Sequence, residues 1–424
     1  MTSTRTGIVE SLLADMAGAP PADLSRLLEP SSGRVARTPS TVQRFTSGLG
    51  TSAVRVPLSE PVPPATRDLG THDIPRLTGL GTSAVQLVAP PVEQPSEPSP
   101  STDDSMPELF CPGPVRDDPA LGEEVNERVV EWAGEVGIYP GELDHLRNCD
   151  FGRLIMLTHP ATDDPDRLLA ATKCVVAEWA ADDYYIDEVD LGADPAAAAS
   201  RMSTLNAIID PAGLPAEYTP QLDEYRTGEP IATAFRSAMR HLAQYCSPTQ
   251  LGRFQHQMTL MFTAWNHAIE WRAEGRMPAV WEYLVQRNMD SYLPPMILID
   301  AVAGYELPAT QFYVPPVRRA FTMAGLANVL LNDLHSAGRE SDNDVNLPRV
   351  IALENGCAMR EAIKRTVEIH NELMHTFVAE AALLSATDPT LRRFFTDVWA
   401  WLGGSREWHA TTRRYHTDPA DTPT

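Results

Sequence analysis

From about Pro112 to Tyr415 the apolar residues of this chain return every three or four positions, a period that only packed α-helices can satisfy over such a length. Val125, Val129, Trp132 and Val136 follow it, and Asp118-Pro119 is placed to begin that helix. The same spacing predicts helices over 165–190, 195–210, 230–245, 247–273, 279–304, 312–339, 347–385 and 389–415. The breaks carry Pro, Gly, Asp and Asn, as in Asp210-Pro-Ala-Gly213 and Ser247-Pro248. Few segments alternate as strands do. Helices without a sheet can bury their apolar stripes only against one another, so the expected fold class is an all-α bundle.

The first 107 residues are of another kind. Phe45 is the one aromatic before Phe110, and Pro, Ser and Thr dominate, as in Pro95-Ser-Glu-Pro98-Ser-Pro100. Such a stretch cannot bury enough apolar surface to offset its ordering entropy. The expectation is a disordered extension over 1–107 and one helical domain over 108–418, which holds all eight Trp. Within the extension, Gly48-Leu-Gly-Thr-Ser-Ala-Val54 returns as Gly79-Leu-Gly-Thr-Ser-Ala-Val85, either a linear docking motif or a duplicated neutral segment.

A net charge of −23 argues against a nucleic-acid partner and against anionic membrane surfaces. It leaves room for an anionic ligand held through metal cations. The five cysteines are scattered, with no C-x-x-C pair, which fits reduced thiols in a cytoplasm. The start lacks an apolar signal core and no run approaches membrane-span length, so the expectation is a soluble cytoplasmic protein.

Two places concentrate polar groups where a bundle can least accommodate them. The apolar stretch Cys174–Ala181 ends in Asp182, Asp183 and, after three residues, Asp187 and Glu188. At about 100° per residue Asp183 and Asp187 share a face, flanked by Asp182. Carboxylates so close repel unless a hard cation such as magnesium sits among them, and at a helix C-terminus they also oppose the dipole. A solvated acidic helix end is the alternative. Asp163-Asp164-Pro165-Asp166 is also acidic, but Pro165 marks it as a helix start, which removes it as a metal site.

The second place is Asn332, Ser336 and Glu340, at steps of four on a helix whose preceding turns, Phe321–Leu331, are nearly all apolar. Four-residue steps drift by about 40°, so amide, hydroxyl and carboxylate form one line of oxygen donors for one divalent ion. A buried hydrogen-bond ladder is the alternative. Arg339 beside Glu340 could add a cation for an anionic ligand.

DDxxxD followed by NDxxSxxxE, in this order and on these two helices, resembles the bacterial class I terpene cyclases, and the likeness runs from about Cys111 to Tyr415. Arg287, 45 positions before Asn332, matches the family's diphosphate-sensing arginine; Asp290 and Ser291 match its linker and effector positions at a helix break. Arg414-Tyr415 matches the arginine–tyrosine pair that bonds the diphosphate. The resemblance implies a class I α-helical bundle, and a magnesium cofactor of about three ions that ionises an allylic prenyl diphosphate. It implies Asp182, Asp183, Asp187, Asn332, Ser336 and Glu340 as metal residues, Asp182 the most consistent of the aspartates, with Asp183 and Asp187 coordinating directly, through water or by holding Arg287. Arg287, Arg339, Arg414 and Tyr415 become the diphosphate contacts, and Arg287, Asp290 and Ser291 the catalytic group. The proline-rich extension, the entry Leu109–Asp118 and the form of the aspartate motif are similar to the branch that cyclises 2-methylgeranyl diphosphate and quenches the cation with water. That branch implies a partner C-methyltransferase, and the family is often homodimeric. Trp179, Trp265, Trp271, Trp399 and Trp408 are candidates to face a cation, although core packing is the commoner role of each.

Rival readings meet specific obstacles. A chain-elongating prenyltransferase normally carries a second aspartate-rich motif where this chain has Asn332, Ser336 and Glu340. Geranyl or farnesyl diphosphate would serve a cyclase of the same class. A ferritin-like di-iron oxidase would use Glu142-x-x-His145 and Glu372-x-x-His375, which lie far apart in the chain. A His-Asp phosphohydrolase has only His72-Asp73, in the extension. An acidic interaction protein leaves the polar line at Asn332 unexplained.

Overall fold

The structure, a computed structural model, describes residues 106–187, 193–337 and 345–414. The 1–107 extension apart from its last two residues, both copies of its repeat, Arg339, Glu340 and Tyr415 lie outside the described residues. So does the side chain of Asp187.

The described residues are helical, without strands, and run as α1 (Pro119–Val136), α2 (Leu143–Cys149), α3 (Phe151–Thr158), α4 (Pro165–Asp182), α5 (Pro195–Ile209), α6 (Thr219–Gly228), α7 (Pro230–Leu242) and α8 (Pro248–Glu274). Then follow α9 (Val280–Arg287), α10 (Leu293–Met296), α11 (Ile299–Val302), α12 (Ala309–Phe312), α13 (Pro315–Ser336), α14 (Leu347–Asn355), α15 (Met359–Ser385) and α16 (Pro389–Thr411). Local chemistry explains the starts. Asp118, Asp164, Asp194, Ser247, Asn346 and Asp388 each accept a backbone N–H of the first turn, with Pro following at the first helical position, or at the second after Asn346. Asp164 therefore spends its carboxylate on Asp166 and Arg167 backbone N–H groups.

Three expected helices come out differently. The span 279–304, continuous by periodicity, divides into α9, α10 and α11 at the break that the resemblance implied at Asp290 and Ser291, because Pro294 and Pro295 have no N–H to continue α9 and Tyr292 turns into the left-handed region at φ 64°. The span 347–385 divides at Gly356, whose φ of 61° ends α14. The span 165–190 is α-helical only to Asp182 and then widens into a π-turn over Asp183–Asp187. The short helices α2, α3, α6 and α12 were not expected at all.

The bundle closes around α13. Its Val317, Ala320, Phe321, Ala324, Ala327, Val329 and Leu330 are buried, and it packs on α15 and α16. α4 packs against α1, α3 and α7. Phe235, Phe254, Phe321, Phe377 and Phe394 fill the main core, and a smaller cluster joins Trp271, Tyr283, Leu330 and Val350 beside α9 and α14. Gly404 lets α16 lie directly on α3: a Cβ there would collide with the carbonyl of Leu157. This contact sets where α16 holds Trp401, Trp408 and His409. Among the described residues no helix is long and apolar enough to cross a membrane.

Candidate active site

The polar end of α13 is the structural centre of the site. Its buried length leaves its last turn carrying Asn332, Asp333 and Ser336 at the edge of the core. Asn332 and Ser336 lie one turn apart on one face. The Asn332 amide Nδ2 donates to the Tyr292 hydroxyl at 3.1 Å and lies 3.3 Å from His409 Nε2. Ser336 is buried and its hydroxyl donates only a long, 3.4 Å bond to the Asp333 carbonyl.

Asp333 turns the other way and is wholly buried. It accepts from the Tyr283 hydroxyl at 2.8 Å, from the Leu347 N–H at 3.2 Å and from the Arg287 guanidinium. Arg287 closes α9, and its second carboxylate is Asp290, at 2.8 Å. Asp290 in turn collects Trp265 Nε1 at 2.8 Å, Gln286 Nε2 at 2.9 Å, and the Ser291 N–H and hydroxyl at 2.7 and 3.0 Å. Burial works against the charge on Arg287, but Asp333, Tyr283 and Asp290 outweigh it and hold the guanidinium firmly protonated. Its Nε stays buried without a partner, an orphan donor in a group otherwise saturated with acceptors.

Asp182 and Asp183 are half-buried where α4 gives way to the π-turn. Asp183 accepts from the Tyr139 hydroxyl at 2.6 Å, and burial, then the Asp183 charge, raise the Tyr139 pKa so that it remains a phenol. Arg272 and Arg201 brace the turn through the carbonyls of Ile186 and Tyr184, at 3.3 and 3.5 Å. Arg287 is thus paired with Asp290 and Asp333, while Asp183 engages Tyr139. Arg414 lies with its guanidinium 5.3 Å from the Trp179 ring centre.

Between α4 and α13 stands an aromatic wall. Tyr292 packs edge-on against Trp179 at 5.7 Å and Trp401 at 6.2 Å, and Trp179 against Trp408 at 6.3 Å. Of the tryptophans singled out from the sequence, Trp179 and Trp408 belong to this wall. Trp265 serves Asp290, Trp271 packs beside His267, and Trp399 sits beside Phe110. Sequence reasoning missed Tyr292, Trp401, His409 and the role of Asp333, although Asp333 stood in plain sight next to Asn332. It also missed two buried polar side chains one turn before the motif residues. Glu178 Oε1, before Asp182, and both amide atoms of Asn328, before Asn332, are buried without partners. The Glu-x-x-His pairs do not form a centre: His145 lies 4.0 Å from Cys149 Sγ and His375 stacks on Phe110 at 4.1 Å.

The donors suit a hard divalent cation rather than a soft one: an amide and a hydroxyl on α13 and carboxylates at the end of α4. Hydrogen bonding supports that use, because the Asn332 NH2 is turned to Tyr292 and His409, which aims its oxygen the opposite way. Among the described residues no three His, Cys, Asp or Glu side chains form a metal-holding group by themselves; the donors are divided between two helices, and Glu340 lies outside the described residues.

A family model described as terpene synthase family 2, C-terminal metal binding, matches residues 173–376, which include both motifs. The chain is 36% identical over 354 residues to 2-methylisoborneol synthase of Streptomyces ambofaciens, covering 80% of this chain and 79% of that protein. It is 37% identical over 317 residues to the Saccharopolyspora erythraea 2-methylisoborneol synthase, covering 72% and 89%. The crystal structure of the Streptomyces coelicolor 2-methylisoborneol synthase with Mg2+ and 2-fluoroneryl diphosphate superposes with a TM-score of 0.70 at 34% identity, covering 73% of this chain and 97% of that one.

The helical bundle, with an aspartate cluster ending one helix and an Asn/Ser line ending another, defines a class I terpene cyclase, and the chain belongs to that family of lyases. Within it, the three relatives just described are 2-methylisoborneol synthases, the branch whose likeness was legible in the extension and the aspartate motif.

Proposed function

We propose that this enzyme converts 2-methylgeranyl diphosphate and water to 2-methylisoborneol and diphosphate. One observation carries the ionising chemistry: Asn332 and Asp333 are consecutive, so one helix end both presents an oxygen donor and clamps the half-buried Arg287. The choice of substrate is supported by the similarity to 2-methylisoborneol synthases.

Asn332, Ser336 and Glu340 would hold magnesium from one side and Asp182, with Asp183 and Asp187, from the other, in a cluster of about three ions. Bound there, magnesium supplies Lewis-acid stabilisation of the charge that builds on the departing diphosphate. Arg287, Arg339, Arg414 and Tyr415 bind the diphosphate oxygens. Asp290 fixes the guanidinium of Arg287 and the Ser291 N–H at the helix break, so the diphosphate contact and the break move as one unit. Trp179, Tyr292, Trp401 and Trp408 exclude water and offer ring faces to the cation, each worth about 0.5–2 kcal/mol.

The proposal also assigns a C-methyltransferase as the supplier of substrate, a homodimeric enzyme, and a cytoplasmic location, the last in keeping with five free cysteines. Steady-state turnover of 2-methylgeranyl, geranyl and farnesyl diphosphates with magnesium tests it. The expected order puts the methylated substrate first in kcat/KM. A preference for farnesyl diphosphate would keep the class and discard this substrate.

A further inference from the structure

The Asn332 amide has two possible orientations, and only one aims its oxygen away from the aromatic wall. The choice is made by a chain of buried contacts that starts at a helix carbonyl. His409 Nδ1 lies 2.8 Å from the carbonyl of Ser405, one turn earlier on α16. A carbonyl accepts, so Nδ1 carries the proton and Nε2 presents a bare lone pair. Among the described residues, the Tyr292 hydroxyl at 2.9 Å and Asn332 Nδ2 at 3.3 Å face that lone pair. The Tyr292 hydroxyl donates to Nε2, which leaves its own oxygen to accept from Asn332 Nδ2 at 3.1 Å. An amide oxygen in place of Nδ2 would face a bare lone pair across 3.3 Å and lose its bond. Tyr292 and His409 are both buried. Tyr292 is held in place at a backbone cost, since its φ of 64° is unfavourable for a residue with a Cβ and persists only where the surroundings fix it.

We infer that Tyr292 and His409 are positioning residues that set the Asn332 amide with its oxygen toward the metal, through the sequence Ser405 carbonyl, His409, Tyr292, Asn332. Tyr292 lies directly after Ser291, so the same residue ties the helix break to the end of α13. This rests on Asn332 being a metal residue, as proposed above. The Tyr292 ring belongs to the aromatic wall, but its hydroxyl and the His409 imidazole act on the metal site only through Asn332.

The test is manganese binding to the full-length protein with inorganic pyrophosphate, followed by electron paramagnetic resonance, on the wild type and on Tyr292→Phe, His409→Gln and His409→Leu. Tyr292→Phe keeps the ring and removes the hydrogen bonds to His409 and Asn332, so manganese affinity should fall by roughly 10-fold or more, the usual effect of losing a group that orients a ligand. His409→Gln retains an acceptor and should recover part of the affinity that His409→Leu loses. In turnover, the loss in Tyr292→Phe should shrink as magnesium is raised, which a general loosening of the fold would not produce. Thermal melts with unchanged midpoints tie the effect to the site; should Tyr292→Phe lower the midpoint, the Gln-against-Leu comparison at position 409 decides. Wild-type manganese affinity in Tyr292→Phe, or equal affinities in His409→Gln and His409→Leu, would overturn the inference. A wild type that binds no manganese with pyrophosphate would instead overturn the proposed function.

Discussion

Replacing Asp333 with Asn is the most informative single change, because the carboxylate is completely buried and serves three donors at once. The substitution preserves shape and removes one charge. Breaking a buried ion pair by deleting one partner costs about 3–5 kcal/mol. Here the cost is partly relieved, since Arg287 keeps Asp290 at 2.8 Å and its side chain is 14% exposed, enough for solvent to reach it. Against that, an amide NH2 must replace one acceptor and leave a donor unpaired, about 1 kcal/mol or more. The net expectation is a loss of roughly 2–4 kcal/mol, which for a domain of this size lowers the melting midpoint by on the order of 3–6 °C. Differential scanning calorimetry measures it, with Glu368→Gln at the exposed Arg365–Glu368 pair as a control that should scarcely move. Turnover should fall further than stability accounts for, because Arg287 loses the anchor that ties it to α13. A midpoint within about a degree of wild type, with undiminished turnover, would refute the assignment of Asp333 as the counter-ion that holds Arg287.

Asn332→Ala or Glu340→Ala should abolish magnesium-dependent turnover while circular dichroism shows the helices intact; undiminished turnover would remove that line of residues from the metal site. Glu178 is buried with Oε1 unpartnered, and burial raises its carboxyl well above the ordinary 4.5. The folded chain therefore holds a proton that the unfolded chain has released, so stability falls as pH rises from 4.5 toward the raised value. Glu178→Gln should remove that slope and raise the melting midpoint more at pH 8 than at pH 4; parallel pH profiles of mutant and wild type would contradict it. Deleting residues 1–105 should leave turnover largely unchanged, and a truncated protein that folds yet fails to turn over would give the extension a catalytic role.

Much of the fold was legible because helix periodicity and caps are local. Asp118, Asp164 and Ser247 each open a helix as their neighbours suggest. What escaped was set by tertiary context. The π-turn at Asp183 and the left-handed Tyr292 depend on packing that no window of sequence contains. The Asn332–Ser336 line could be read from spacing alone, as could Arg287 from the resemblance. The partners that orient them could not: His409 is 77 positions from Asn332, and Asp333 is 46 from Arg287. A spacing rule identifies residues on one helix face; it cannot say which distant side chain supplies the missing hydrogen bond.

The central claim is that this chain breaks the carbon–oxygen bond of a prenyl diphosphate and lets water capture the cyclised cation. It is tested most directly by incubating the full-length protein with magnesium and 2-methylgeranyl diphosphate in water labelled in its oxygen, and analysing the volatiles by mass spectrometry. The expected result is 2-methylisoborneol carrying the label, absent when the metal is chelated. An unlabelled acyclic alcohol would mean that the phosphorus–oxygen bond had broken instead, and would contradict the assignment.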